Sequence, residues 1–332
     1  MIKLVSFFGA VTPLFEALNR QARDYAATLG IDFLWVPQQP YDAADVIAHL
    51  NQADAGIINI EPYGEALFSQ LNDQCKLLVR FGVGYDNVDL AAASRYGICC
   101  ARTTGSNKTG VAELALALML SARRRLPYHQ QSVLDGSWGK QAGGELIGGR
   151  VGILGFGQIG RTLAKLLKGF DCEILVYNRS QDPALAAELG VRYTDLEEIF
   201  STCDAISVHL PAGPETNGLI GPKYLSMMKP EAVIVNTARG SILDEDALFQ
   251  ALREHKIAGA GLDVYTQEPY PDYDKFQGLD NLALTPHVAS QTRESLWQTY
   301  KKTIDITADF FAGRPLGPGD LLNPDYQDAG AR

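Results

Sequence analysis

A glycine-rich turn between a strand pattern and a helix pattern constrains this chain most strongly. The segment GFGQIG, with Gly155, Gly157 and Gly160, follows the apolar run 151–154 and opens a helical pattern at about residues 159–167. In this setting the first glycine permits a tight turn, the second lets backbone approach a pyrophosphate, and the third lets the helix pack on the strand. The sequence therefore predicts a dinucleotide site here, the alternative being a merely tight structural turn.

Short apolar runs alternate with helix-length segments on both sides of this turn. Five runs lie well before the turn, at residues 3–7, 33–36, 55–60, 76–80 and 97–100. One run, residues 151–154, leads directly into the turn, and five follow it at residues 174–177, 205–208, 232–235, 258–264 and 282–284. Such alternation is typical of parallel α/β sheets. Because 332 residues exceed what one core usually supports, the sequence predicts two α/β domains.

One long helical pattern runs from residue 108 to about residue 134. Its apolar side chains, among them Val111, Leu114 and Leu118, cover more than one face. A helix of this kind is buried on several sides. Two interpretations stay open at this point: a helix packed between two domains, or a helix that forms part of a subunit interface.

The composition excludes several classes of protein. A net charge of −10 argues against nucleic acid or an anionic membrane as the main partner. The five cysteines form no CxxC pair and have no histidine at metal-ligand spacing, so no metal site is predicted and buried thiols in a reducing compartment are expected. The longest apolar stretch, residues 111–122, is too short to span a bilayer, and the N-terminal segment lacks a signal-peptide pattern. A cytoplasmic location is therefore expected.

The residues after the second strand of the glycine-rich unit bear on which dinucleotide binds. A site that prefers NAD usually carries Asp or Glu there, which bonds the ribose 2′-hydroxyl. This sequence has Asn178, Arg179 and Ser180 instead. Without the carboxylate a 2′-phosphate is not repelled, and Arg179 offers it a charge-assisted partner. The sequence thus favours NADP over NAD, the alternative being that Arg179 is a solvated surface charge.

Three later segments each follow a predicted strand and carry side chains suited to catalysis. They are VNTARG, which contains Arg239, LDVYTQEP, which contains Glu268, and TPHVAS, which contains His287. Segments that leave the carboxyl ends of parallel strands line one crevice. The three side chains are therefore expected to converge on a bound nicotinamide.

Long motifs over nearly the whole chain resemble the D-isomer-specific 2-hydroxyacid dehydrogenase family. Besides the three segments above, the similarity covers RFGVGYDNVDL (80–90), GSNKTGVAELALALML (105–120), ELIGGRVGILGFGQIGR (145–161) and HLPAGPETNGLI (209–220). The family includes glyoxylate/hydroxypyruvate reductases, phosphoglycerate dehydrogenases and D-lactate dehydrogenases. The resemblance implies hydride transfer between NAD(P)H and a small 2-keto or 2-hydroxy acid of D configuration, with glyoxylate or hydroxypyruvate as the first expectation.

By this resemblance Arg239, Glu268 and His287 form the catalytic set. Arg239 would bind substrate oxygens through its planar guanidinium. His287 would be the general acid in reduction and the base in oxidation, and Glu268 would pair with it and favour its protonated form. Taken singly, each has another interpretation: a histidine bonded to backbone, an ion-pair arginine and a solvated loop acid. Their joint occurrence in matching motifs favours catalysis.

The resemblance also implies further binding residues. Val83 and Gly84 are expected to offer backbone N–H groups to the substrate carboxylate, with Arg80 approaching from the same strand end. Additional cofactor contacts are expected at Gln158, Ile159, His209, Pro211, Thr216, Thr237, Ala238 and Asp263. Asp263 either bonds the nicotinamide carboxamide or supports the pair of Glu268 and His287. Lys108 either reaches a cofactor phosphate or is exposed.

The family pattern implies a domain layout and leaves rival functions open. A Rossmann-like dinucleotide-binding domain, residues 102–290, would be inserted into a flavodoxin-like substrate domain made of residues 1–101 and 291–332. A homodimer through the helix near residues 108–134 is expected. The rivals on this fold are formate dehydrogenases, which typically carry Gln in place of Glu268, phosphite dehydrogenases, and corepressor-like proteins whose binding is gated by a dinucleotide.

Overall fold

The computed structural model describes residues 1–326, which form two compact units. The first unit consists of residues 1–107 together with the stretch from residue 292 onwards, and the second is the continuous stretch 108–291. Each unit has its own sheet and its own hydrophobic core. Within the described part of the chain, no helix is long and apolar enough to cross a membrane.

Strands and helices alternate along most of residues 1–326, and two helices follow each other directly within residues 108–134. The strands are β1 (Ile2–Ser6), β2 (Ile31–Trp35), β3 (Ala55–Ile58), β4 (Leu77–Arg80), β5 (Cys99–Arg102), β6 (Arg150–Leu154), β7 (Glu173–Tyr177), β8 (Val191–Tyr193), β9 (Ala205–Val208), β10 (Val233–Asn236), β11 (Gly259–Leu262) and β12 (Leu282–Leu284). The α-helices are α1 (Pro13–Thr28), α2 (Ala43–Leu50), α3 (Glu65–Phe68), α4 (Leu90–Arg95), α5 (Lys108–Arg123), α6 (Leu126–Leu134), α7 (Gln158–Leu167), α8 (Pro183–Leu189), α9 (Leu196–Thr202), α10 (Pro222–Leu225), α11 (Glu245–Arg253) and α12 (Arg293–Phe311).

The first unit contains a five-stranded parallel sheet in the order β2-β1-β3-β4-β5. This is the flavodoxin-like order, in which the chain reverses direction across the sheet between β1 and β3. All four residues of β3 are buried, as expected where helices cover both faces of a parallel sheet. Leu296, Tyr300 and Ile304 of α12 enter the same core as Leu4 of β1. The two separate stretches of the first unit thus share one core.

The second unit contains a seven-stranded parallel sheet in the order β12-β11-β10-β9-β6-β7-β8. Counted from β6, this is the Rossmann order with one added strand. The chain reverses direction across the sheet between β6 and β9, and ligands bind in such folds outside the carboxyl ends of the strands at this point. The predicted fold class, two parallel α/β sheets of Rossmann-like and flavodoxin-like type, is confirmed.

The predicted single helix over residues 108–134 is wrong: the segment forms two helices, α5 and α6. Between them Arg125 takes a left-handed conformation with φ of +52°. Pro127 lies in the first turn of α6, where its missing N–H costs nothing, whereas in a continuous helix it would remove a hydrogen bond and clash with the preceding turn. α5 is buried on several sides, with Ala112, Ala115 and Met119 fully enclosed, as its apolar pattern predicts.

Candidate active site

The carboxyl ends of six neighbouring strands of the second sheet lie level with one another. Pairing across the sheet aligns Tyr177, Leu154, Val208, Asn236, Leu262 and Leu284. The residues next in the chain therefore leave the sheet at one edge, and they are Asn178, Gly155, His209, Thr237, Asp263 and Thr285. All of these except Thr285 are predicted cofactor residues. The fold thus places that part of the predicted set side by side.

The glycine-rich turn after β6 fits a dinucleotide. Gly155 has φ of +97°, and a Cβ at this position would lie 2.6 Å from the carbonyl oxygen of His209. A Cβ at Gly160 would overlap the carbonyl oxygen of Gly155, because α7 packs closely on the turn. A Cβ at Gly157, by contrast, would meet no heavy atom of residues 1–326 within 4 Å. The middle glycine alone faces open space, as the close approach of a pyrophosphate requires.

The N-terminus of α7 completes this phosphate-binding turn. Gln158 and Ile159 form its first turn, and the N-cap residue Gly157 provides no side-chain hydrogen bond. The first N–H groups of the helix are therefore left to bind an anion, which the helix dipole also favours. Gln158 and Ile159, which are predicted to contact the cofactor, lie in this first turn.

The segment after β7 is tied to the glycine-rich turn through Asn178. Its side-chain oxygen accepts a hydrogen bond from the Phe156 N–H at 3.0 Å, and its Nδ2 donates to the carbonyl oxygen of Ser180 at 2.6 Å. Arg179 has a side chain that is 92% exposed, and its guanidinium lies 3.7 Å from the Glu215 carboxylate. Asn178 thus shapes the segment, while Arg179 forms an exposed ion pair of the kind that contributes little to stability.

His209 begins the segment after β9, which contains Pro211 and Thr216. The Thr216 hydroxyl donates to the carbonyl oxygen of Pro211 at 2.6 Å and so closes the loop. The Nε2 atom of His209 lies 2.9 Å from the Ser207 hydroxyl. Burial lowers the pKa of His209 from 6.5 to about 4. A histidine that is neutral at neutral pH suits the wall of a cofactor site better than the role of proton donor.

The lowered pKa of His209 predicts a loss of stability in mild acid. The unfolded chain protonates His209 more readily than the folded chain does. The contribution of neutral His209 to stability is therefore complete above pH 6.5 and falls as the pH drops toward 4. Between pH 7 and pH 5 this one residue should lower the free energy of unfolding by about 2 kcal/mol. Urea titration without cofactor should show that the free energy of unfolding falls less between pH 7 and pH 5 for His209→Gln than for the wild type. Equal losses would contradict the prediction.

The segment that carries Arg239 is organised by Asn236 at the end of β10. The buried Asn236 side chain accepts a hydrogen bond from the Ala238 N–H at 3.0 Å and donates to the carbonyl oxygen of Arg239 at 2.9 Å. The Arg239 guanidinium donates to the carbonyl oxygen of Ala238 at 2.7 Å. The hydroxyl of Thr237 is buried without a hydrogen-bond partner among the described residues. Such an orphaned group fits a polar ligand at this edge.

The residue after Arg239 packs tightly on the segment that leads to Glu268. A Cβ at Gly240 would overlap the backbone of Tyr265 and Thr266, so only glycine permits the two segments to approach this closely. The positive charge of Arg239 is among the causes that lower the pKa of Glu268. Arg239 is therefore close enough to Glu268 for its charge to favour the ionised carboxylate.

Glu268 and His287 form a direct pair. The Glu268 Oε2 atom lies 2.6 Å from Nδ1 of His287, and its Oε1 atom accepts the Tyr265 N–H at 2.9 Å. Burial acts to raise the pKa of Glu268. These two hydrogen bonds and the charges of His287 and Arg239 together lower it by more than burial raises it, so the net shift is downward. Glu268 is therefore a carboxylate at neutral pH. No hydrogen bond to Nε2 of His287 is found in residues 1–326, so this nitrogen is available to a substrate.

Asp263 holds the backbone of the His287 segment. Its carboxylate is fully buried and accepts hydrogen bonds from the Thr285 hydroxyl at 2.7 Å, the Val288 N–H at 2.8 Å and the Ala289 N–H at 3.0 Å. Burial nevertheless raises its pKa. His287 itself has φ of +53°, a conformation that costs free energy in a non-glycine residue and persists only where its surroundings enforce it. Asp263 supplies that enforcement, which is a role in support of the pair.

The predicted substrate residues Arg80, Val83 and Gly84 belong to the first unit. They lie at and just after the carboxyl end of β4. The Arg80 guanidinium folds back and donates to the carbonyl oxygen of Phe81. Among the described residues, the backbone N–H groups of Val83 and Gly84 donate no hydrogen bond, so both are available to an anionic ligand. Lys108, whose role the sequence leaves open, is exposed at the start of α5.

Asn236, Tyr265, Thr285 and Gly240 are site residues that the sequence reasoning does not single out. All four lie inside the quoted motifs or directly beside the predicted residues. A polar residue at the last position of a buried strand could have identified Asn236, and a polar residue directly after such a strand could have identified Thr285. Tyr265 gives no such signal, because its partners are contacts made by folding.

Comparisons with known proteins agree with this geometry. Residues 116–289 match the model of the family described as D-isomer specific 2-hydroxyacid dehydrogenase, NAD binding domain. A glyoxylate reductase from Thermococcus litoralis is 41% identical over 229 residues, which are 66% of this chain and 69% of the relative. A D-3-phosphoglycerate dehydrogenase from Archaeoglobus fulgidus is 34% identical over 84% of this chain, which spans only 53% of that relative.

A solved structure extends the likeness over almost the entire chain. The apo-structure of D-lactate dehydrogenase from Escherichia coli superposes with a TM-score of 0.81 at 27% identity and covers 97% of this chain and 100% of its own. The family match covers more than half of the chain, and the structures share its two-sheet fold. The protein is therefore a member of the D-isomer specific 2-hydroxyacid dehydrogenase family.

Proposed function

We propose that this oxidoreductase reduces glyoxylate, hydroxypyruvate or a similarly small 2-keto acid with NAD(P)H to the corresponding 2-hydroxy acid, which has the D configuration where it is chiral. The observation that carries the proposal is the 2.6 Å contact between Glu268 and His287, in the electrostatic environment of Arg239. Similarity to a glyoxylate reductase at 41% identity supports the choice of substrate. Glu268 also argues against a formate dehydrogenase, because formate oxidation requires no group to hold and transfer a proton.

The proposed reaction needs one hydride and one proton. When bound, the reduced nicotinamide supplies a hydride to the carbonyl carbon. Arg239 binds substrate oxygens and polarises the carbonyl group. His287 donates the proton from Nε2 to the carbonyl oxygen, which becomes the hydroxyl of the product. Glu268 holds Nδ1 of His287, fixes its orientation and stabilises the protonated ring until the proton leaves.

We assign the binding of the dinucleotide to the second unit and the binding of the substrate carboxylate to the first. The turn with Gly155, Gly157 and Gly160 supports the first assignment. The available N–H groups of Val83 and Gly84, at the carboxyl end of β4, support the second. The segments after β1 and β3, residues 7–13 and 59–64, contain no Lys or Arg. That composition favours a substrate without a phosphate substituent.

A panel of 2-keto acids tests the function. Glyoxylate, hydroxypyruvate, pyruvate and phosphohydroxypyruvate are each supplied with NADPH and with NADH, and cofactor oxidation is followed. We expect turnover of the small unphosphorylated acids and a much lower kcat/KM for phosphohydroxypyruvate. No turnover of any 2-keto acid would remove the proposal and leave a phosphite dehydrogenase or a dinucleotide-gated binding protein. Turnover limited to phosphohydroxypyruvate would reassign the substrate.

For the cofactor we propose a preference for NADPH. The three residues directly after β7 include no carboxylate, and the exposed Arg179 pairs with Glu215 only at 3.7 Å, so the charge of Arg179 is available to a 2′-phosphate. One charge-assisted hydrogen bond corresponds to a kcat/KM for NADPH about tenfold above that for NADH. Arg179→Ala should abolish the difference, while Arg95→Ala, which breaks an exposed ion pair with Glu65 in the other unit, should preserve it. A clear preference of the wild type for NADH would contradict the proposal.

We further propose a cytoplasmic homodimer that associates through α6 and the loop after it. Apolar side chains are exposed there, with Leu126 at 51%, Val133 at 57%, Leu134 at 73%, Trp138 at 69% and Ile147 at 68%. Contiguous exposed apolar surface is typical of an interaction site. Five unpaired cysteines, four of them buried, support a reducing compartment. Light scattering, which reports the mass in solution, tests the dimer.

A further inference from the structure

One tyrosine contacts both segments of the candidate catalytic pair. The backbone N–H of Tyr265 donates to Oε1 of Glu268 at 2.9 Å, and its hydroxyl donates to the carbonyl oxygen of Thr285 at 2.9 Å. Thr285 precedes His287 by two residues. The same carbonyl oxygen also accepts the His287 N–H at 3.1 Å. Tyr265 therefore connects the Glu268 loop with the carbonyl group that supports the backbone of His287.

The position of the Tyr265 ring is fixed by its neighbours. The ring is half-buried and lies 5.5 Å from the ring of Tyr270 and 6.1 Å from that of Phe276, centroid to centroid. Gly240 packs closely on the Tyr265 backbone. Burial, together with the charges of Asp263 and Glu268, raises the pKa of Tyr265 well above its usual range. The hydroxyl consequently remains a hydrogen-bond donor over the whole working pH range.

We infer that Tyr265 is a positioning residue that keeps His287 at bonding distance from Glu268, an inference that rests on the proposed function. The His287 backbone has a left-handed conformation with φ of +53°, so the segment would relax unless several contacts hold it. Asp263 holds the residues after His287, through the N–H groups of Val288 and Ala289. The Tyr265 hydroxyl holds the segment before it, at the Thr285 carbonyl oxygen, and Asp263 also accepts a hydrogen bond from the Thr285 hydroxyl. Together these contacts fix the segment on both sides of the ring.

The variant Tyr265→Phe isolates the hydroxyl. It keeps the ring in its aromatic surroundings and keeps the backbone N–H that bonds Glu268. We expect kcat to fall about tenfold, because a small displacement of a proton donor is costly, while KM for the 2-keto acid changes by less than about twofold. The solvent deuterium isotope effect on kcat should rise, because displacement of the donor His287 slows the proton transfer.

A matched control removes a hydroxyl elsewhere. The Tyr224 hydroxyl on α10 donates to Glu197 at 3.3 Å, and Tyr224→Phe should leave kcat, KM and the solvent isotope effect unchanged. Thermal melting and fluorescence titration with NADPH establish that both variants fold and bind cofactor. An unchanged kcat and solvent isotope effect in Tyr265→Phe, with normal activity in the wild type, would overturn the positioning role and leave the proposed function intact.

A second measurement does not depend on turnover. The NMR signal of the proton on Nδ1 of His287, assigned by its loss in His287→Ala, is compared in the wild type and in Tyr265→Phe without substrate. The signal should move upfield in the variant, because a longer contact with the Glu268 carboxylate deshields this proton less. An unmoved signal would overturn the inference even if the wild type reduced no 2-keto acid, whereas absence of turnover alone would refute the proposed function.

Discussion

We expect His287→Ala to lower kcat for 2-keto acid reduction by about a hundredfold or more and to leave the affinity for the cofactor unchanged. The reason is that the variant has no group to protonate the carbonyl oxygen as it gains negative charge. The imidazole is 46% exposed, so it is accessible to a substrate, and Glu268 holds only its Nδ1 atom. Removing the ring therefore removes the proposed donor without disturbing the glycine-rich turn to which we assign dinucleotide binding.

The control for this variant must match its backbone as well as its chemistry. Alanine at position 287 would occupy a left-handed conformation, which itself costs stability. His255 provides the match, because it is exposed and has φ of +51°, close to the +53° of His287, and lies outside the site. His255→Ala should melt with a similar change in Tm and keep full activity. Steady-state kinetics and fluorescence titration with NADPH measure both effects, and an active His287→Ala would assign the proton donor elsewhere.

The second large effect is expected from alanine substitutions in the glycine-rich turn. Gly157→Ala should lower cofactor affinity at least about tenfold, because the methyl group would occupy the space where backbone approaches the pyrophosphate. Its unfolding free energy should change by less than about 1 kcal/mol, since the position is an N-cap with open space around it. Gly160→Ala should instead destabilise the protein by about 2 kcal/mol, because its Cβ would overlap the Gly155 carbonyl oxygen.

These two variants separate binding from folding at neighbouring positions. Urea titration gives the unfolding free energy, and NADPH fluorescence gives the affinity. If Gly157→Ala bound the cofactor as tightly as the wild type, the assignment of the turn to phosphate binding would be wrong. If Gly160→Ala were as stable as the wild type, the close packing of α7 on the turn would be in doubt.

The sequence predicts well those elements whose local chemistry and burial agree. The turn at Gly155 to Gly160 requires a strand before it and a helix after it, and β6 and α7 begin within one residue of their predicted positions. The apolar runs at residues 205–208 and 282–284 coincide with β9 and β12. In these segments the buried residues are also the ones whose local pattern favours a strand or a helix. The local sequence is therefore enough to predict the secondary structure.

Other features escape local pattern. The break between α5 and α6 depends on Arg125 and Pro127, and the strong apolar periodicity on either side obscured it. The strand β8 has only three residues and was too short to stand out. Tyr265 and Gly240 are important because of contacts between segments that are far apart in sequence. Tyr265 contacts Thr285, and Gly240 packs on the backbone of Tyr265. The local pattern of either segment does not predict such contacts.

The discontinuous first unit has a consequence for the order in which the protein forms during synthesis. The second unit is one continuous stretch, residues 108–291, and has all its strands as soon as it leaves the ribosome. The first unit must wait, because Leu296 and Tyr300 of its core and the Leu322 N–H that bonds the Cys100 carbonyl oxygen are translated after the whole second unit. Since chains grow at about 5–20 residues per second, residues 1–107 spend on the order of ten seconds or more without these partners. During that interval apolar side chains of this stretch lack part of the core that buries them, and exposed apolar surface of this kind favours aggregation.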